Sequence, residues 1–306
     1  MNRDFKDTFA RNINLQSKKY KLLKSKYGHY HVDPMPTDEE LEAFYKESYY
    51  KKSHSDISAK GMDVGSGEKL ERFHYDRQYD EVVRFIEENF NRKDINILDV
   101  GCGLGGILKY LKEKGFTRLQ GIEFDSRSKL SGIDLFNGDF LNFKTNERFE
   151  IILFNNILEH VREPEKFLQR AYERLSDDGF IIVKVPNDLS YTQYRAIAGM
   201  KKANYYFFLP PEHLHYFDFE SMENMLGANG FGVVKTTTTW SMSLFVLMGL
   251  DYSDDPTTGK RCHEYRMNLE YKMQEDFLMN FYREMAELGI GRNVIKYAKK
   301  VSGGVK

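Results

Sequence analysis

Ile97-Leu98-Asp99-Val100-Gly101-Cys102-Gly103-Leu104-Gly105-Gly106 decides the fold of this 306-residue chain. A short strand-forming run ends in a glycine-rich turn, and Ile107, Leu108 and Leu111 then follow at helical spacing. Glycines in such a turn let the backbone approach a ligand closely and present amide N–H groups at a helix N-terminus. Outward from this unit, short β-rich runs alternate with helical segments. Strands are predicted at residues 95–100, 119–123, 132–136, 149–155 and 180–185. Residues 164–175 open with Pro164 and carry Phe167, Leu168, Ala171 and Leu175 on one stripe, which predicts a crossover helix, with Gly179 closing the turn into the next strand. This alternation is the signature of an α/β protein whose parallel sheet is covered on both faces.

The flanks read differently. Residues 1–75 are polar, rich in Lys, Tyr and His, and show no strand alternation. Thr37 followed by Asp38, Glu39 and Glu40 predicts an N-capped helix running to Tyr45, residues 53–67 read as a linker, and a second helix extends to Asn89. Lying upstream of the glycine-rich turn, these helices are expected to form an N-terminal lid. Residues 219–229 read as a helix, 231–240 as a strand, 243–289 as a helical insertion and 293–298 as a last strand. The expected organisation is an N-terminal extension over 1–75, a core over 76–240, a helical insertion over 241–290 and a last strand with tail over 291–306. The insertion is the expected seat of acceptor specificity or homodimer contacts.

Composition narrows the function. Apolar residues make up 41% and charged residues 30%, as in soluble globular proteins, and the net charge of −1 gives no general attraction to nucleic acid or anionic lipid. A small molecule is the expected partner, with no nucleic acid and no membrane span. Two cysteines, Cys102 and Cys262, are too few for a disulfide framework or a four-cysteine zinc site. A reducing, cytoplasmic location is expected.

Gly101, Gly103 and Gly106 satisfy G-x-G-x-x-G, a pattern shared with dinucleotide-binding folds. Asp99 discriminates. A carboxylate at the end of the first strand opposes a diphosphate, whereas S-adenosylmethionine carries a sulfonium and an ammonium that it attracts. Glu123, ending the second strand, suits both ribose hydroxyls of an adenosine ligand in either fold. In Asn137-Gly138-Asp139-Phe140, Asp139 can accept from an adenine amino group and Phe140 can cover the ring.

Taken together, DVGCGLGG (99–106), GIEFD (121–125), NGDF (137–140), FEIILFNNILEHVREPEKFL (149–168), LSDDGFIIVKVPN (175–187) and EHLHYFDFESMENMLGANGF (212–231) resemble the class I S-adenosylmethionine-dependent methyltransferases. The resemblance covers residues 79–231 and is to the small-molecule group that includes ubiquinone-biosynthesis and antibiotic-sugar O-methyltransferases. It implies a Rossmann-like seven-stranded sheet with helices on both faces and S-adenosyl-L-methionine as cofactor. It also implies a donor site lined by Asp99, Gly101, Cys102, Gly103, Glu123, Phe124, Asp139, Phe140, Asn155 and Leu158.

Transfer to a hydroxyl needs a base, and His160, following the fourth strand at the edge where α/β ligands bind, is the first candidate. His213 and His215 are rivals. In the ubiquinone-pathway relatives this region resembles a divalent-metal site, which Glu159 and His160 match, but Asn156 stands in place of its first glutamate. No metal is expected. The aromatic run Tyr205-Tyr206-Phe207-Phe208-Leu209 suits either an acceptor wall or plain packing. Lys18, Lys19, Lys21, Lys24 and Lys26 suit a phosphorylated acceptor or, more simply, a solvated helix face. The expected reaction is O-methylation of a sugar, nucleotide-sugar or related metabolite. Competing readings are N- or C-methylation, a nicotinamide-dependent oxidoreductase, which Asp99 disfavours, and an inactive cofactor-binding module.

Overall fold

A computed structural model of the chain describes residues 4–46, 66–124, 130–200, 205–253 and 255–301. Its centre is a seven-stranded sheet built from β3 (Asn96–Val100), β4 (Arg118–Glu123), β5 (Asp134–Asn137), β6 (Phe149–Asn155), β7 (Leu175–Pro186), β9 (Phe231–Thr237) and β10 (Asn293–Lys300). The spatial order is β5-β4-β3-β6-β7-β10-β9. The first five are parallel to one another, and β10 runs antiparallel to both β7 and β9. The chain order therefore reverses at β3, where the next connection crosses to β6, and ligands of open α/β sheets bind outside the carboxyl ends of the strands at such a point.

Strand alternation divides the interior into two cores. Leu98, Val100, Ile152, Phe154, Ile181 and Val183 point to one face, Ile97, Ile151, Leu153, Phe180 and Ile182 to the other. The first face is covered by α5 (Pro164–Arg174) and α7 (Phe219–Ala228), the second by α3 (Ser66–Asn89) and α4 (Gly106–Glu113). Each such large side chain taken fully from water contributes roughly 1.5–3 kcal/mol, so near-continuous apolar runs are what a doubly covered sheet requires. Gly179 lies inside β7 rather than in a turn before it. Pairing with β6 already begins at Leu175, with a register shift between Phe149 and Ile151.

The N-terminal region departs from the all-helical expectation. α1 (Asp4–Gln16) is followed by a hairpin of β1 (Lys21–Lys24) and β2 (Tyr30–Asp33), and β2 pairs with β8 (His215–Tyr216) in a separate three-stranded sheet. Lys21 and Lys24 thus lie on a strand, not a helix face, and Lys19, Lys24 and Lys26 pair with Glu40, Asp7 and Glu165. Beneath this sheet a third core gathers Phe9, Ile13, Val32 and Tyr216 with Ile197 of α6 (Tyr191–Gly199). Phe207 of the aromatic run is buried in it, its ring 5.5 Å from that of Phe9, so plain packing accounts for that residue. α2 (Asp38–Phe44) forms as the sequence predicts, with a reciprocal capping box between Thr37 and Glu40. Residues 53–65 of the expected linker lie outside the described residues, and 66–67 already belong to α3.

The insertion consists of α8 (Ser243–Leu247), α9 (Pro256–Lys272) and α10 (Glu275–Glu287). α9 packs on α3 and α10 on β9, and Arg84 of α3 clamps Glu275 and Asp276 at 2.5 and 3.0 Å. Among the described residues no helix is long and apolar enough to cross a membrane.

Candidate active site

The turn after β3 is held by the end of β4. Gly101 N and Cys102 N both donate to Ile122 O, at 2.8 and 3.0 Å, and Gly103 N donates to Glu123 Oε2 at 2.7 Å. Gly101 and Gly103 adopt φ of 70° and 52°, a region that residues with a Cβ avoid. The two differ in what a side chain would meet. A Cβ on Gly101 would fall 1.9 Å from Ile157 Cδ1, whereas one on Gly103 would meet nothing within 4 Å and project into open space.

That space is a cleft of about 820 Å³. Gly101, Gly103, Glu123, Phe124, Asp139, Phe140 and Asn155 border it, drawn from the ends of β3, β4, β5 and β6. Phe124 is 61% exposed and presents an apolar face at the rim. Phe140 borders the cleft, but its ring is buried against Phe154 and Phe167 at 5.8 and 5.7 Å, so it acts more as floor than as cover. Asp139 caps the turn beyond β5, accepting from Leu141 N at 2.9 Å. Three expected donor residues do not border the cleft: Asp99 is buried at the end of β3, Leu158 is wholly buried in the first core, and Cys102 is buried in the second.

Asp99 lies just beneath, 2% exposed, and its Oδ1 has no hydrogen-bond partner. Burial and the neighbouring Glu123 carboxylate push its pKa up to about 8. Among the described residues no basic group is set against Asp99, so its surroundings favour a cation. An orphaned carboxyl oxygen, a second carboxylate and an open glycine cradle together fit a positively charged adenosine-type ligand.

On the acceptor side, His160 borders the cleft just beyond β6. Its Nδ1 lies 2.7 Å from the main-chain carbonyl of Glu212, which can only accept, so Nδ1 carries the proton and Nε2 the lone pair. Burial lowers its pKa, so the ring is neutral at physiological pH. His213 packs edge-on at 4.9 Å from His160 and does not border the cleft. His215 does not border the cleft either. Its Nδ1 faces His29 Nε2 at 3.1 Å and its Nε2 the Arg162 carbonyl at 3.3 Å, which ties β8 to the hairpin. Burial lowers the His213 and His215 pKa values to about 3 and 4.

The structure also brings in residues the sequence reading did not single out. Asp38, Leu41, Glu42 and Tyr45, on and just after α2, border the cleft, and Asp38 pairs with Arg162 at 2.8 Å. Asp188 and Gln193 are buried near the end of β7, and Lys184 is half-buried there. A lysine inside the apolar run FIIVKVP was the available signal for that cluster. Among the described residues no group of three or more His, Cys, Asp or Glu is arranged to hold a metal ion.

Comparison with known proteins agrees with this geometry. A methyltransferase-domain family profile matches residues 72–236, more than half of the chain. The mitochondrial ubiquinone biosynthesis O-methyltransferase of Dictyostelium discoideum is 22% identical over 161 residues, covering 46% of this chain and 49% of that protein. Norajmaline N-methyltransferase of Rauvolfia serpentina is 30% identical over 122 residues, covering 35% of this chain and 41% of that protein. The chain thus spans less than half the length of these curated relatives. The crystal structure of Burkholderia thailandensis 1,6-didemethyltoxoflavin-N1-methyltransferase, with bound 1,6-didemethyltoxoflavin and S-adenosylhomocysteine, shares the fold at TM-score 0.51 and 12% identity, covering 93% of this chain and all of that one. The chain belongs to the methyltransferase-domain family, among the class I S-adenosylmethionine-dependent methyltransferases.

Proposed function

We propose that the chain transfers a methyl group from S-adenosylmethionine to a hydroxyl of a small molecule, a sugar, nucleotide-sugar or related metabolite. The observation that carries the reading is His160, a neutral imidazole at the cleft with its Nε2 lone pair set by the Nδ1 bond to Glu212. When bound, S-adenosylmethionine supplies an activated methyl group on a sulfonium leaving group. Asp99 and Glu123 are assigned to its cationic portion and ribose, Asp139 to the adenine amino group, and Gly101 and Gly103 to the close backbone approach. His160 Nε2 accepts the proton that the acceptor hydroxyl loses, and the surrounding loops hold that hydroxyl within near-attack distance.

The relatives include N- as well as O-methyltransferases, and a neutral amine acceptor carries its own lone pair and needs no such base. The test is methyl transfer to a panel of sugars, nucleotide-sugars and amines, read by mass spectrometry, with His160→Gln beside the native chain. Methylation on oxygen that falls about a hundredfold or more in the variant, with donor binding intact, supports the reading. Methylation confined to nitrogen and indifferent to His160→Gln contradicts it.

A further inference from the structure

His160 sits in a turn, residues 158–162, that belongs to neither β6 nor α5. The turn is held from outside by the segment 212–215. Leu214 N and His215 N both donate to Glu159 O, at 2.7 and 3.2 Å, and the His160 ring is aimed by its bond to the Glu212 carbonyl. His215 adds a side-chain bond, its Nε2 lying 3.3 Å from Arg162 O. The Arg162 guanidinium in turn pairs with Asp38 of α2, and Arg162, Asp38 and His160 all border the cleft. The candidate base therefore rides on a short stretch whose carbonyls are gripped on either side of it, at Glu159 and at Arg162.

The polarity of the His215 bond can be followed backwards. A carbonyl oxygen only accepts, so His215 Nε2 carries the proton and its Nδ1 the lone pair. Across 3.1 Å His29 Nε2 then donates to that lone pair, which leaves His29 Nδ1 to accept from Ser25 Oγ at 2.8 Å. Ser25 Oγ itself accepts from Tyr27 N at 3.2 Å. Four hydrogen bonds thus run one way, from the turn between β1 and β2 into the turn that carries His160. Both rings are buried, with centroids 4.6 and 5.8 Å from that of Phe217 in the first core. Burial lowers the His29 and His215 pKa values to about 2 and about 4, so each ring keeps the single proton that the chain requires. A hydrogen bond between buried side chains adds little net stability over apolar packing of the same shape. What apolar packing cannot supply is a donor held in place for Arg162 O.

We propose that His215 is a positioning residue for His160: its ring, at the head of the one-way chain from Ser25 through His29, holds the Arg162 carbonyl and with it the turn that presents the base to the cleft. The proposal rests on the reading of His160 as base. Misplacing a reacting group by about 1 Å can cost about a hundredfold in rate, so the hairpin of β1 and β2 acts on the reaction through this one contact.

The test is long-range proton–nitrogen NMR of the histidine rings, on the full chain labelled with 15N-histidine and loaded with S-adenosylhomocysteine. In the native chain His160 should show a single Nδ1–H tautomer, and His29 and His215 single Nε2–H tautomers. His215→Phe fills the ring's space without a donor, and His160 should then become a mixture of tautomers, while His215→Gln, whose amide can donate to the same carbonyl, should restore the single form. On a compound of the acceptor panel that the native chain methylates, His215→Phe should lower kcat about tenfold or more, but less than about twofold in the His160→Gln background. If His215→Phe fails to fold, as loss of S-adenosylhomocysteine binding would reveal, His29→Phe breaks the chain one link earlier and carries the same comparison. The proposal is overturned if native His215 shows the Nδ1–H tautomer, if His160 is unchanged in the folded His215→Phe variant, if His215→Gln does not restore it, or if the loss of kcat is the same with and without His160. Turnover indifferent to His160→Gln overturns the base reading and this proposal with it. Turnover that depends on His160 but not on His215 overturns this proposal alone.

Discussion

The ends of β3 and β4 and the ends of β6 and β7 both bury acidic side chains at one edge of one sheet, yet their charged neighbours differ. Under the glycine turn, Asp99 has Glu123 for its charged neighbour and a carboxyl oxygen with no hydrogen-bond partner. Beyond β6, burial and the Asp188 carboxylate raise the Glu159 pKa, and Lys184 opposes that rise. The first arrangement selects a cation. The second sets a lysine of the fold itself against one of its carboxylates. Burial alone therefore does not say what a carboxylate is for; its neighbours do.

The largest effect expected from breaking this division falls on the acceptor side. His160→Gln keeps the size and polarity of the side chain but removes the basic nitrogen, and should lower turnover on a hydroxyl acceptor by about 10²–10⁴ with donor affinity unchanged. Steady-state rates and calorimetry on the same variant separate the two effects. Because burial depresses the His160 pKa, the acid limb of kcat/KM in the native chain should lie below pH 6.5.

Asp99→Asn tests the donor side. A charged hydrogen-bond partner is worth about 1.5–3 kcal/mol, so S-adenosylmethionine should bind roughly ten- to a hundredfold more weakly, with acceptor affinity unchanged. An unchanged Kd would erase the contrast between the two regions.

A smaller effect separates the two glycines. Gly101→Ala combines left-handed strain with a collision against Ile157 and should destabilise the fold by more than about 2 kcal/mol. Gly103→Ala carries the backbone strain alone, about 1–2 kcal/mol, and instead obstructs the cleft. Thermal unfolding and donor binding should thus rank the two variants in opposite orders.

The smallest effect is a proton count. Asp99 and Glu159 have pKa values raised to about 8 and Asp188 to about 7, above their values in an unfolded chain near 4. These groups bind their protons more tightly when folded. Their contribution to stability is therefore complete below about pH 4 and is lost as pH rises through 7 and 8. A cation beside Asp99 reverses its preference, so donor binding near pH 7 should release up to one proton. Calorimetry in buffers of different ionisation enthalpy reads that number, and no release would mean that Asp99 is already ionised.

The donor half was legible because its residues arrive in contiguous runs, 99–106, 121–124 and 137–140, each fixed by the strand before it. Local pattern was enough to predict the sheet, its covering helices and several strand-end residues that border the cleft, but not Asp38, Leu41, Glu42 or Tyr45. The acceptor half is assembled from segments far apart in sequence, and local pattern says little about it. β1 and β2 have four residues each and depend on a two-residue partner, β8, some 185 positions downstream, so no periodicity marks them. For the same reason nothing local in the sequence shows that the His215 ring is bonded to His29 across that pairing. Leu158 sits beside Glu159 in the chain but turns into the core, a difference of direction that spacing does not encode.

Titration calorimetry of the native chain with S-adenosylmethionine, and with S-adenosylhomocysteine as its uncharged-sulfur counterpart, tests the central claim most directly. Both should bind at one site per chain, and Asp99→Asn should weaken both. Heats indistinguishable from dilution for both ligands, with the chain folded, would contradict the account.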